Sequence, residues 1–180
     1  MIIENTPTAW MQSVKPGSIV AFRFPHAFQG EDRPKVRLTL VLDVSLRLGQ
    51  PCATLCYGTT NPKLAATGER YLVDVFAQDE IAMASLRRPT RFHGSRSLLV
   101  SLASSAFDVS FVRQTAILGE LGGESLERLH VVRARMQAEL DIARAEQADR
   151  RRRRQPSMPR PFVVERRNGA GLVAEGVHNG

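Results

Sequence analysis

From Val36 to Val44 every second residue is apolar: Val36, Leu38, Leu40, Leu42 and Val44. Arg37, Thr39, Val41 and Asp43 fill the positions between. Side chains alternate faces along a strand, so this run predicts a half-buried β-strand over Lys35–Val44 with the even-numbered positions inward. A helix would scatter the same leucines around its circumference. Shorter segments of the same kind predict further strands over Ser18–Phe24, Cys52–Tyr57, Arg70–Phe76, Ser97–Leu102 and Thr115–Leu118. Turn signals separate them: Pro16-Gly17, Leu48-Gly49-Gln50-Pro51, and Gly58, which is expected to break its strand. Residues 79–88 fit a helical turn or a strand equally well. Several short, punctuated strands suggest a small barrel or sandwich.

The period changes after Gly122-Gly123. Leu126, Leu129, Val132, Met136, Leu140 and Ala143 follow the spacing of an amphipathic helix. The helix is expected over about 124–150, with Glu124 and Glu127 in its first turn and arginines at its end, both favoured by the helix dipole. At 1.5 Å per residue it would be roughly 40 Å long. That exceeds the width of a small barrel, so its C-terminal half should project or pack on a second subunit. The resulting organisation is an N-terminal arm over 1–13, a barrel over 14–122, a helix over 123–150 and a tail over 151–180. The tail is rich in proline and glycine without a usable period, so a disordered basic tail is predicted.

Charge is concentrated in that tail. The 180 residues carry a net charge of +7. Of 25 basic and 18 acidic residues, 8 arginines and 2 glutamates lie from Arg150 onward, which leaves 17 against 16 in the preceding 149 residues. The body is nearly neutral, and the run Arg151, Arg152, Arg153, Arg154 outside it reads as a solvated helix end, as a nucleic-acid contact or as a contact for an acidic protein partner. Cys52 and Cys56, four apart on a strand, would have Cα atoms about 13 Å apart. A disulfide needs about 7 Å or less, so two free thiols are expected. The four histidines have no metal-ligand spacing, and no nucleotide or hydrolase motif is present, so neither a metal nor an organic cofactor is expected. No apolar run approaches the ~20 residues of a membrane span. Residues 1–13 lack the pattern of a signal peptide, and a cytoplasmic location is expected.

Three segments carry a resemblance. Lys15-Pro16-Gly17-Ser18-Ile19-Val20-Ala21-Phe22 opens the first strand, Arg37-Leu38-Thr39-Leu40-Val41-Leu42 follows a polar loop, and Tyr57-Gly58-Thr59-Thr60-Asn61 ends a strand. Their order and spacing resemble the PemK/MazF-like toxins of bacterial toxin–antitoxin modules. Pro89-Thr90-Arg91-Phe92 and the closing Gly-rich turn with its helix fit the same pattern, and the resemblance covers about residues 14–145. It implies a mainly β fold, a small SH3-like β-barrel with a C-terminal amphipathic helix, and a homodimer. It also implies a metal-independent endoribonuclease that cleaves single-stranded RNA, an acidic antitoxin protein laid across the RNA groove, and DNA contact by the toxin–antitoxin complex.

By position the family's catalytic Arg and Thr fall on Arg37 and Thr59. Thr60, Arg33, Arg91 and His26 are the neighbouring candidates for substrate contact. The family usually places Pro after its Arg, where this chain has Leu38. Arg33-Pro34 offers that pair four residues earlier, but only the Arg37 register keeps the alternation intact. An arginine suits the chemistry because it binds phosphate through two parallel hydrogen bonds and stabilises charge that develops in the transition state. The general base is left open among Glu31, Asp32 and His26. The alternatives are an inactive barrel that binds nucleic acid or protein, and a toxin of this fold directed at a topoisomerase.

Overall fold

The computed structural model describes residues 9–24, 35–61 and 69–154. It is mainly β. Its elements are α1 (Ala9–Ser13), β1 (Ser18–Arg23), β2 (Val36–Arg47), β3 (Gln50–Thr59), a 3₁₀ turn (Glu69–Tyr71), β4 (Leu72–Val75), α2 (Gln78–Met83), β5 (Thr90–Ser101), β6 (Ile117–Glu120) and α3 (Gly123–Arg154). The six strands form one antiparallel sheet in the order β4-β5-β3-β2-β1-β6, curled as a half-barrel. Of the tail predicted over 151–180, residues 151–154 are helical and belong to α3, and residues 155–180 lie outside the described residues.

The alternation in β2 sets the register as expected, but the strand is not half-buried. Leu40 and Leu42 lie in one apolar layer with Ile19, Cys56, Val73 and Phe92, and Leu38 packs partly against it. The opposite face is also covered. Thr39 and Val41 are completely buried, and Val41 belongs to a second layer with Val20, Phe22, Leu55 and Phe107. The buried Thr39 hydroxyl donates to the Val20 carbonyl at 3.2 Å, which removes the cost of leaving it unpaired. Thr39 was expected to face away from the core; the second layer encloses it. Val36, expected inward, is 43% exposed at the strand's start.

Part of that second layer comes from the segment read as an arm without period. Residues 9–13 form α1, whose Trp10 is buried with its ring centroid 5.2 Å from that of Phe107. A five-residue helix holds one turn and a half, too short for an apolar period to show.

The strand ends also differ from expectation. β2 and β3 are joined by Leu48-Gly49 alone, with φ of 51° and 79°, and Arg47 pairs Gln50. Positive φ at both central residues is the hairpin turn that matches the strands' twist, so Gln50 and Pro51 belong to the strand. Gly58 does not break β3, which continues to Thr59. A Cβ at Gly58 would lie 2.6 Å from the Phe92 ring of its partner strand. The glycine admits that ring, a close approach rather than a turn. The ambiguous stretch over 79–88 begins as helix, since α2 runs from Gln78 to Met83. β6 sits at Ile117–Glu120, two residues beyond its predicted place, and β5 begins at Thr90, seven residues ahead of the strand predicted over Ser97–Leu102.

α2 also relates the sheet's two edges. It follows edge strand β4, and the residue after it meets edge strand β6: a Cβ on Gly119 would lie 2.5 Å from the Ala84 backbone. Glu80 of α2, itself buried, accepts the Ser125 N–H at 3.1 Å. A carboxylate there satisfies one of the free amides at the start of α3 and complements its dipole.

α3 buries Leu129 and Val132 against the first layer, with Leu126 and Met136 partly covered. Leu140, also in the predicted stripe, is 51% exposed. Arg133 pairs with Asp43 at 2.6 Å, Arg128 Nε donates to the Leu72 carbonyl at 2.9 Å, and the Tyr71 hydroxyl bonds Glu139. From Ile142 the helix forms a unit of its own, and it runs to Arg154, four residues past the predicted end. Cys52 and Cys56 are free and buried. Burial pushes the Cys56 thiol far above its usual pKa, so it stays protonated and unreactive. Among the described residues no helix is long and apolar enough to cross a membrane.

Candidate functional site

The β2–β3 hairpin brings the two sequence-predicted catalytic positions together. Thr39 pairs with Tyr57, and Arg37 and Thr59 each lie two residues outward from that pair, on the same face of their strands. Both line a cleft of about 460 Å³ with Leu38, Tyr57, Thr60, Asn61 and Thr90. Arg37 is half-buried, and its Nε is buried without a hydrogen-bond partner. Leaving a buried donor unpaired costs about 1–3 kcal/mol, more when it is charged. The side chain as a whole is only half-buried and lines the cleft, where its charge favours an anion.

Thr59 is nearly buried, and its Oγ1 accepts the Asn61 N–H at 3.1 Å. That bond turns the chain at the strand's end and fixes the hydroxyl, whose proton stays available for donation. Thr60 is exposed on the same lip.

The other candidates fall elsewhere. Arg91 stands opposite Thr59 in the β3–β5 ladder, yet it does not line this cleft. Its Nε and Nη2 donate to the two carboxylate oxygens of Asp74 at 2.6 and 2.7 Å, and its guanidinium lies 5.7 Å from the Phe76 ring centroid. A fork held in this way is committed to the carboxylate. Arg33 and His26 lie outside the described residues, as do Glu31 and Asp32. Arg151, Arg152 and Arg153 are exposed near the end of α3, and Arg154 is its last residue. Among the described residues no group of three or more His, Cys, Asp or Glu is placed to hold a metal.

Sequence reasoning missed three arginines. Arg87, Arg88 and Arg113 line a second cleft of about 610 Å³ that shares Leu38, Thr60 and Thr90 with the first. The two clefts therefore adjoin, and among the described residues no acidic side chain lines either. Arg87 and Arg88 precede Pro89 in the α2–β5 link, and Arg113 sits on the turn before β6. These two segments meet because Ala84, just after α2, packs against Gly119 of edge strand β6, a contact that no local pattern announces.

His93 is a buried titratable group on β5, the strand beside β3. It pairs with Tyr57 and Leu72 in the ladders, is 2% exposed, and its Nε2 has no hydrogen-bond partner. Burial lowers its pKa, the Arg96 and Arg91 charges lower it further, and Asp74 opposes them. The folded state thus favours neutral imidazole. The stability this contributes is fully present above the unfolded pKa near 6.5 and is lost as pH falls below it. Urea midpoints should drop between pH 7.5 and pH 5, and the drop should be smaller in His93→Gln.

The chain matches no model of a known protein family and no curated protein.

Proposed function

We propose that this chain is a metal-independent endoribonuclease of the PemK/MazF type, acting on single-stranded RNA in the Arg37–Thr59 cleft. The observation that carries the reading is that Arg37, whose buried Nε has no partner among the described residues, lines one cleft with a fixed threonine hydroxyl and with no acid among the described residues. The nucleophile belongs to the substrate. The RNA 2′-hydroxyl loses its proton as its oxygen bonds to phosphorus, and the bond from phosphorus to the 5′-oxygen breaks. The 5′-oxygen takes up a proton, which leaves a 2′,3′-cyclic phosphate and a 5′-hydroxyl. Arg37 holds the charge that builds on the non-bridging oxygens, where preorganised donors act most strongly. The Thr59 hydroxyl donates to the same phosphate or orients the attacking group. The base is drawn from His26, Glu31 and Asp32 on the link between β1 and β2. A homodimer and an acidic antitoxin covering this cleft belong to the same reading.

Mapping RNA ends after brief induced expression tests it. New 5′-hydroxyl ends at one short motif are the expected result. Binding without cleavage would reduce the protein to a nucleic-acid-binding module. Thr59→Ala should slow cleavage less than loss of Arg37, because the backbone N–H at the strand end survives. It should also cost about 0.5–1.5 kcal/mol of stability through the lost bond to Asn61. Single-turnover cleavage in EDTA and thermal melting measure the two effects.

A further inference from the structure

We propose that the second cleft, with the turn that carries Arg113, is the continuation of a single-strand path: Arg87, Arg88 and Arg113 hold further phosphates, and Phe111 stacks a base. The inference rests on the first cleft being a phosphate site, but not on cleavage there. Three observations carry it. The first is adjacency, since Leu38, Thr60 and Thr90 line both clefts. The second is charge. Arg37 and the three further arginines line one surface with no acidic lining residue among those described. The acids flanking Arg113 in sequence are already paired, Asp108 with Arg23 at 3.3 Å and Glu120 with Lys15 at 2.8 Å. The side chains of Arg87, Arg88 and Arg113 make no ion pair with a described residue.

The third observation is Phe111. It is 89% exposed, two residues before Arg113. Its turn is tied at both ends: the Ser110 N–H donates to the Thr115 carbonyl at 3.0 Å, and the Gln114 N–H to the Ser110 carbonyl at 2.7 Å. Gln114 Nε2 also donates to the Phe111 carbonyl at 2.6 Å. An aromatic ring kept in water on a braced turn, next to arginines, is what single-strand binders use, because every base has a face to stack and every nucleotide a phosphate to pair. A duplex keeps its bases stacked on each other and offers Phe111 nothing. An acidic peptide would suit the arginines but leave the ring unused.

The test is binding of a fluorescein-labelled 12-nucleotide single-stranded RNA to the full chain across a salt series. Arg88→Gln/Arg113→Gln should weaken binding and reduce the salt slope by about 1.4, at roughly 0.7 per phosphate contact on single strands. Phe111→Ala should weaken it about 5- to 150-fold with the slope unchanged, the range that stacking one base supports. A trinucleotide should bind the variants and wild type alike. All these side chains lie on the surface, and circular dichroism confirms folding. Wild-type affinity and slope in both variants would overturn the proposal. So would equal use of a duplex, or arginine-dependent binding of a poly-glutamate peptide without RNA binding. Cleavage that survives while the variants bind normally removes this path alone. Variant-sensitive binding without cleavage removes the nuclease and keeps the path.

Discussion

Arg37→Met is expected to lower single-turnover RNA cleavage about 100- to 1,000-fold, the effect of losing one preorganised donor to transition-state charge, while leaving the protein at least as stable as wild type. The two halves of this result come from one observation. Among the described residues Arg37 Nε is buried and unpaired, so the folded protein carries a cost that replacing the guanidinium removes. Methionine keeps the unbranched stem and drops the polar group. Stability held below its attainable maximum at a functional group is the usual trade between activity and folding. The measurement pairs cleavage in EDTA with urea denaturation. Arg33→Ala serves as the register control, since Arg33-Pro34 is the competing match. If Arg37→Met cuts like wild type and Arg33→Ala does not, the phosphate ligand is Arg33. If Arg37→Met loses stability as well as activity, the guanidinium is holding the fold together, and the cleft argument fails with it.

The legible parts of this fold were those written in a repeating pattern. The β2 alternation placed Leu40 and Leu42 in the core, and Arg37 on the opposite face. The helical stripe from Leu126 to Met136 placed α3 on the sheet. What the patterns could not show was the second layer. An alternation of Leu and Thr reads as inside and outside, yet Thr39 is buried on the face where Val41 meets Trp10, Phe22 and Phe107 in the second layer. Gly58 was read as punctuation because glycine commonly is; its use here depends on Phe92, thirty-four positions away in sequence. Arg91 carried the right residue type at a family-like position, and Asp74 on the neighbouring strand determines what it holds. Arg87, Arg88 and Arg113 were not legible at all, since no short motif joins a helix-to-strand link to a turn before the last strand.

Trp10→Ala is expected to destabilise the protein by about 3–5 kcal/mol, the cost typical of removing a buried Trp or Phe side chain. The segment that carries it has no period and five helical residues, so sequence alone suggests that little depends on it. The packing says otherwise. Trp10 is 5% exposed and Phe107 is 5% exposed; their rings sit 5.2 Å apart, and Phe107 in turn lies 4.9 Å from Phe22 of β1. Removing the indole leaves a hole beside Phe107, whose own packing positions the chain just before the Ser110–Thr115 turn. Domains are typically stable by only 5–15 kcal/mol. At about 2–4 °C per kcal/mol for a chain of this size, the melting temperature should fall by roughly 6–20 °C. Trp10→Phe, which keeps an aromatic ring against Phe107, should recover much of the loss. Trp10 is the only tryptophan, so wild-type unfolding can be followed by its own fluorescence and compared with circular dichroism. Coincident transitions would show that α1 unfolds with the sheet as one unit. A Trp10→Ala protein that melts at the wild-type temperature would mean that α1 is peripheral and that the second layer closes without it.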